Sequence, residues 1–414
     1  MIDWDVAVAT GVRWARPGPQ VSLAEARRAV AELRELAVAV QAPVREVTGL
    51  VSPQTSGPVA VVDRPGWIRA NVDGFRVVLD PLARQLQQRQ GSWTAPGSRL
   101  GAVGSRLTGV QVGLILAFLA GRVLGQYELF LPPLAGSDAT AGPDGGSGAG
   151  RDPGSGPPAA AAAKRGRPSA TGPVADAGEA GDAAAGRLTL VAPNILMVER
   201  ELGVPSRDFR LWVCLHEETH RAQFTAVGWL RGYIQQQISE FMLASDLDPA
   251  AIAERLRAVA EVVSSVVRRN ADGSASLLEA IQSPRQRVTL DRLTAVMTLV
   301  EGHGDYVMDA AGPQVVPTAG EIRSRFAARR VAAGRLEQAL RRMLGIDLKL
   351  KQYAEGSLFV RSVVAQVGMA GFNRVWTSPE TLPTRAEIAH PGTWVSRVIG
   401  TGEALAPAGP GGPG

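Results

Sequence analysis

The apolar positions of this chain recur mostly at three- and four-residue spacing, the period of helices that bury one face. Asp248 followed by Pro249 reads as an N-cap with proline at the first helical position, opening a helix to about Arg268. Thr289 is expected to cap a second helix, Leu290 to Ala310, which Gly312 ends; Leu336 to Leu344 and Leu358 to Val367 read as two more. The most apolar run, Val112 to Leu124, is shorter than a bilayer span and is interrupted by Arg122, so a core helix is expected there rather than a membrane segment. Two short segments break the helical period. Gln126 to Leu131 and Leu188 to Ala192 are apolar and β-prone, and are expected to pair as antiparallel strands. Ser378 to Pro383 reads as a turn. The fold class is therefore mainly α with a small β-sheet, an α+β arrangement.

Composition changes this picture at two places. From about Ala135 to Gly186 the chain has almost no large apolar residue, so burial cannot offset its ordering entropy. A disordered insertion at a hairpin tip is expected, where extra length costs little closure entropy. Thr401 to Gly414 is a similar Gly/Pro-rich tail. The expected organisation is an N-terminal helical part over 1–134, the insertion over 135–186, a part carrying the candidate active-site helix over 187–400, and the tail over 401–414, with the two helical parts forming one body. Inside the insertion, Lys164 to Pro168 resembles the core of an AT-hook, which enters the minor groove of DNA. The tract carries four basic against six acidic residues, so no basic stripe supports the hook and nucleic acid is not an expected partner. The net charge of +5 is spread along the chain and demands neither nucleic acid nor an anionic membrane. A single cysteine, Cys214, removes any disulfide framework or multi-cysteine zinc cluster, and the N-terminus shows no secretory pattern. A cytoplasmic location follows as the expectation.

The chemistry gathers on one segment. Pro205 to Phe224 reads as a helix with Ser206 as N-cap and Asp208 in its first turn, and Phe209, Trp212, Val213, His216 and His220 share one face. His216 and His220 stand one turn and about 40° apart, so two imidazoles can converge on one zinc ion. Glu217 lies beside them around the helix, where a base acting on water at the metal belongs.

A hydrolytic zinc site needs a third protein ligand and an open position. Gln223 and Ala226 stand where a metzincin would place its Gly and third His, which excludes that class. In the segment Val300 to Asp305, Glu301 and Asp305 are spaced i, i+4, as in the second motif of zincins that use a glutamate ligand. Glu301 would bind zinc, and Asp305 would accept the second ring N–H of a ligand histidine. His303 lies about 200° around the helix from Glu301 and is the alternative ligand. Gly302 and Gly304, poor helix formers, point to close backbone packing, including against the active helix. A hydrogen-bond donor for the tetrahedral oxyanion would complete the site; Tyr353 is the first candidate, with Tyr306, His390 and His303 as the others.

On these motifs the chain resembles the zincin-like metallopeptidase type 2 family, which is found mainly in actinobacteria and labelled as associated with deazaflavin coenzyme biosynthesis. The resemblance rests on Val47 to Leu50, Val123 to Tyr127, Val191 to Asn194, His216 to Phe224, Glu301 to Asp305, Lys349 to Tyr353 and Trp376 to Pro383, and covers all but the insertion and the tail. Gly228 stands where the family commonly has Pro. The resemblance implies a zincin-like fold and a zinc-dependent hydrolase acting on a peptide or protein. The expected function is thus a zinc metallopeptidase with one Zn2+ per chain, no membrane association and an oligomeric state left open. The rival is a zincin-fold binding or scaffold protein whose metal is structural or absent; Glu217 disfavours it, since a structural site needs no base. By analogy with zincins, the strand Leu188 to Ala192 could pair with an extended substrate backbone, with Asn194 ending it.

Overall fold

The computed structural model describes residues 2–52, 57–90, 99–133, 186–244, 283–331 and 346–400. The insertion, the AT-hook-like segment and the tail lie outside the described residues, as do the helices expected at 249–268 and 336–344. The described residues form a mainly helical body with one small sheet. In chain order the elements are α1 (Trp4–Trp14), α2 (Leu23–Ala39), α3 (Gln41–Thr48), β1 (Ala60–Val62), α4 (Arg64–Gln90), α5 (Arg99–Ala120), β2 (Gly125–Glu128) and β3 (Arg187–Val191). There follow α6 (Ala192–Leu202), α7 (Ser206–Ala226), α8 (Gly228–Leu243), α9 (Pro284–Val315), α10 (Ala319–Val331), α11 (Ile346–Phe372), α12 (Arg385–Ala389) and α13 (Pro391–Val398).

The two expected strands do pair antiparallel, with Gln126 opposite Thr189 and Glu128 opposite Arg187. A third strand, β1, pairs parallel to β3 on its other side. The order β1-β3-β2 makes the strand that begins at Arg187 the central one. Its backbone is paired on both edges, so it is unavailable for strand addition, and among the described strands β2 holds the edge next to α7. Asn194 does not end β3 either: it sits in the first turn of α6, wholly buried, where it accepts from Arg64 and donates to the carbonyls of Ala120 and Val123. It thereby closes the end of α5 over the sheet.

Several expected helix limits move. The helix expected from Leu290 begins at Pro284, capped by a reciprocal Ser283–Gln286 box, and Thr289 lies inside it with its hydroxyl bonded to the Arg285 carbonyl. Ser206 is the first residue of α7 rather than its cap. Only one side of α5 joins the core: Leu116, Ala117 and Ala120 are buried while Leu114 and Ile115 are exposed. Val103–Ala120 is long and apolar enough to cross a membrane by length and composition, with 28% of it buried.

Two apolar clusters flank α7. One, built on Leu33, Leu188, Ile195, Phe209 and Val307, packs α7 against α2, α6 and β3. The other joins α8, α9 and α11 through Leu230, Leu299, Phe359 and Phe372. Buried charge fixes the N-terminal half of α7. Arg210 forks onto both Glu199 oxygens at 2.7 and 2.9 Å and reaches Glu32 at 2.5 Å, tying α7 to α6 and α2. A guanidinium inside a core survives because each charge has its partner.

Candidate metal centre

The one-turn offset between His216 and His220 does bring their imidazoles together, with Nε2 atoms 3.2 Å apart. From α9, Glu301 Oε2 lies 3.5 Å from His220 Nε2 and 3.7 Å from His216 Nε2. Three donor atoms all within 4.8 Å of one another make the one such described cluster of His, Cys, Asp and Glu. A tetrahedral zinc with bonds of about 2.0–2.1 Å would hold its donors about 3.3 Å apart. The three observed separations lie close to that edge, so these residues fit a zinc ion. His220 is buried, whereas His216 and Glu301 remain partly open on one side.

The electrostatics match. Burial works against a charge on His220, but the adjacent Glu301 carboxylate outweighs it and raises its pKa to about 9. The pocket thus favours a cation between the imidazoles and the carboxylate. Burial pushes Glu217 up to about 7, opposed by His220 and reinforced by Glu301. Glu217 borders β2: a Cβ built at Gly125 would stand 2.6 Å from its carboxyl carbon. Tyr127 of the same strand stacks on Phe224 of α7 with ring centres 5.6 Å apart, locking strand and helix together. The neighbouring Glu218 faces elsewhere. It is buried in an ion pair with Arg221, which also donates to the Gly57 carbonyl, and burial pushes its pKa to about 7 against the pull of that arginine.

The glycines of α9 serve two different contacts. Gly304 lies over the two imidazoles: a Cβ there would meet His216 Cε1 at 3.4 Å and His220 Cε1 at 3.5 Å. Gly302 faces the other way, onto α11, where a Cβ would fall 2.1 Å from the carbonyl carbon of Gly356. The expected packing against the active helix is thus true of Gly304 alone.

His303, the alternative ligand, is not in the cluster. It is wholly buried and stacks on Phe372 with centroids 5.2 Å apart, near Trp376, and burial followed by His220 lowers its pKa to about 3. Its Nδ1 lies 2.9 Å from Gln223 Nε2. Gln223, weighed from sequence only as a missing metzincin glycine, is central instead. Its amide nitrogen also donates to the Val300 carbonyl at 2.9 Å, and its oxygen lies 3.0 Å from His220 Nδ1. Gln223 is thus the partner of His220 Nδ1; Asp305, expected to accept from a ligand histidine, lies partly buried one turn beyond Glu301. The i, i+3 spacing of His220 and Gln223 was the available signal.

Of the oxyanion candidates, His303 is committed to Gln223, Tyr306 is half-buried against both apolar clusters, and His390 is exposed at the start of α13. Tyr353 belongs to α11, one turn before Gly356; its side chain lies outside the described residues.

A family profile described as zincin-like metallopeptidase matches residues 2–395. Among solved structures, a crystal structure from Chloroflexus aurantiacus, described as a candidate hydrolase with a novel fold, is similar with 28% sequence identity and a TM-score of 0.60. The similarity covers 97% of this chain and 100% of that one. No functionally curated protein matches the chain.

Proposed function

We propose, from the premise that this chain belongs to the zincin-like metallopeptidase family, that it is a zinc-dependent hydrolase of peptide bonds. The observation that carries the reading is the triangle of His216, His220 and Glu301 donor atoms with a buried, proton-seeking Glu217 beside it. His216, His220 and Glu301 would hold the zinc. When bound, zinc supplies Lewis acidity that makes water a nucleophile near neutral pH and polarises a carbonyl.

The chain's own residues account for the rest. Glu217 takes the proton of the attacking water on its carboxylate and later delivers a proton to the leaving amine, a role suited to a carboxyl with a pKa near 7. Its contact with Gly125 keeps that carboxylate on the side of β2. Tyr353, on the helix that crosses α9 at Gly302 and Gly356, is the proposed donor to the oxyanion. A peptide or protein is the proposed substrate. The association with deazaflavin coenzyme biosynthesis rests on no residue of this site.

The test is metal analysis of the purified protein together with digestion of a peptide library, with and without chelator. One zinc per chain and cleavage that chelation abolishes and zinc restores are expected. A protein that takes up no zinc, or cleaves equally well without it, overturns the reading.

A further inference from the structure

His303 presents a physical problem. Its ring fills an aromatic slot beside Phe372 and Trp376, and its Nε2 is buried without a hydrogen-bond partner. An orphaned buried N–H costs stability, and a phenylalanine would fill the same slot without it. Among the described residues the imidazole's hydrogen-bond partner is Gln223, at Nδ1.

The proton positions along this chain of contacts follow from one fixed point. The Val300 carbonyl can only accept, so the end of the Gln223 amide that faces it at 2.9 Å is the NH2. That NH2 can only donate, so His303 Nδ1, also at 2.9 Å, is the accepting nitrogen, and the proton of this neutral ring sits on the orphaned Nε2. The other end of the amide is then the oxygen, and His220 Nδ1 at 3.0 Å donates to it. His220 consequently turns Nε2 toward His216 and Glu301.

We infer that Gln223 is the positioning residue of the metal centre, its amide kept from turning over by the Val300 carbonyl, which can only accept, while His303 Nδ1 accepts the second amide proton. Turning it would set the amide oxygen against the Val300 carbonyl and would offer NH2 to the His220 Nδ1–H. Val300 immediately precedes Glu301, so the same amide also ties the ligand-bearing turn of α9 to α7. The ring nitrogen not used for the metal is thereby fixed by a neutral carbonyl rather than by a carboxylate, which sets ring orientation without adding negative charge to the centre. This rests on the zinc reading above.

The test compares the wild type with Gln223→Met and His303→Phe, measuring the zinc dissociation constant by chelator competition, the melting temperature of the metal-free protein, and the Nδ1-bound proton of His220 by 15N-histidine NMR. Gln223→Met is expected to raise the zinc dissociation constant about 10- to 100-fold and to lose the slowly exchanging His220 proton. His303→Phe, one layer further out, should weaken zinc by a smaller factor, on the order of several-fold, with little net change in melting temperature, because the orphaned ring N–H is removed while one Gln223 amide N–H loses its acceptor. A purely structural role predicts that affinity and stability fall together, so that result in His303→Phe overturns the inference, as does unchanged zinc affinity in Gln223→Met. Should Gln223→Met fail to fold, His303→Phe and the wild-type proton resonance decide. A wild type that binds no zinc sinks the metallopeptidase reading instead; the resonance in the metal-free protein then still shows whether Gln223 holds the ring.

Discussion

Gly125 makes the space that Glu217 occupies: a Cβ at position 125 would stand 2.6 Å from both Cγ and Cδ of that glutamate and 2.8 Å from its Oε1. The first residue of β2 therefore sets where the carboxylate lies. Gly125→Ala should leave the fold nearly intact, because the clash is with a side chain that can turn aside. Zinc binding should also persist, since the three ligands are elsewhere. Hydrolysis should fall roughly a hundredfold, the usual effect of misplacing a reacting group by about 1 Å. Steady-state kinetics beside a zinc assay checks this, and wild-type turnover in the alanine variant would show that the contact has no catalytic weight.

Glu217→Gln keeps shape and removes the proton acceptor. Peptide hydrolysis should drop roughly a hundredfold to ten-thousandfold while zinc content is unchanged. The same variant carries a stability signature in the metal-free protein. Glu217 has a pKa raised from 4.5 to about 7, so the folded state holds its proton more tightly than the unfolded chain. Stability is lost as pH rises through that window, by an amount on the order of a few kcal/mol above pH 7. Metal-free Glu217→Gln should therefore melt higher than wild type at pH 8 and about equally at pH 4. Melting curves at the two pH values decide, and a variant that is less stable at pH 8 contradicts the burial argument.

The ligand triangle predicts the same effect from residues on two helices, α7 and α9. Alanine at His216, His220 or Glu301 should each abolish stoichiometric zinc, read by metal analysis after dialysis. Full zinc retention in Glu301→Ala would remove the third ligand from the proposal.

Two glycines two residues apart should behave oppositely. Gly302→Ala drives a methyl into the Gly356 backbone, which has no side chain to move, so a destabilisation of roughly 3 kcal/mol or more is expected together with weakened zinc binding. Gly304→Ala meets the imidazoles at ordinary contact distance and gains helix propensity, so its melting temperature should match the wild type within a few degrees. Chemical denaturation of both variants tests the contrast.

The β2–β3 pairing joins residues on either side of the long tract between them. Residues 1–133 and 186–414 produced as two separate chains should associate into one body, carried by that pairing and by the Arg64–Asn194 bond. Gel filtration of the co-expressed chains checks this; two independently eluting chains would mean that the connection is required.

Much of the site could be read from residue order, because helix geometry is local. His216, Glu217 and His220 lie on one helix whose period places them whatever the rest of the chain does. Glu301 and Asp305 were legible as an i, i+4 pair for the same reason, and the two strands announced themselves by composition. β1 was not legible: three residues after a proline carry too little pattern, and their pairing partner is 129 residues away. Its presence moved β3 from the edge to the centre and changed which strand borders the site. The choice between Glu301 and His303 was equally beyond local reading, since both lie on α9 and only the packing of α9 against α7 and α11 decides which side each one meets. Gln223 escaped for a related reason. A glutamine at that position is ordinary on a helix, and its three polar contacts come together only when Val300 and His303, about eighty residues later in the chain, are folded against it. Local periodicity thus determined the helix that carries His216, Glu217 and His220, whereas the tertiary packing of helices far apart in sequence decided which acid joins the two imidazoles, the partner of His220 Nδ1 and the strand beside Glu217.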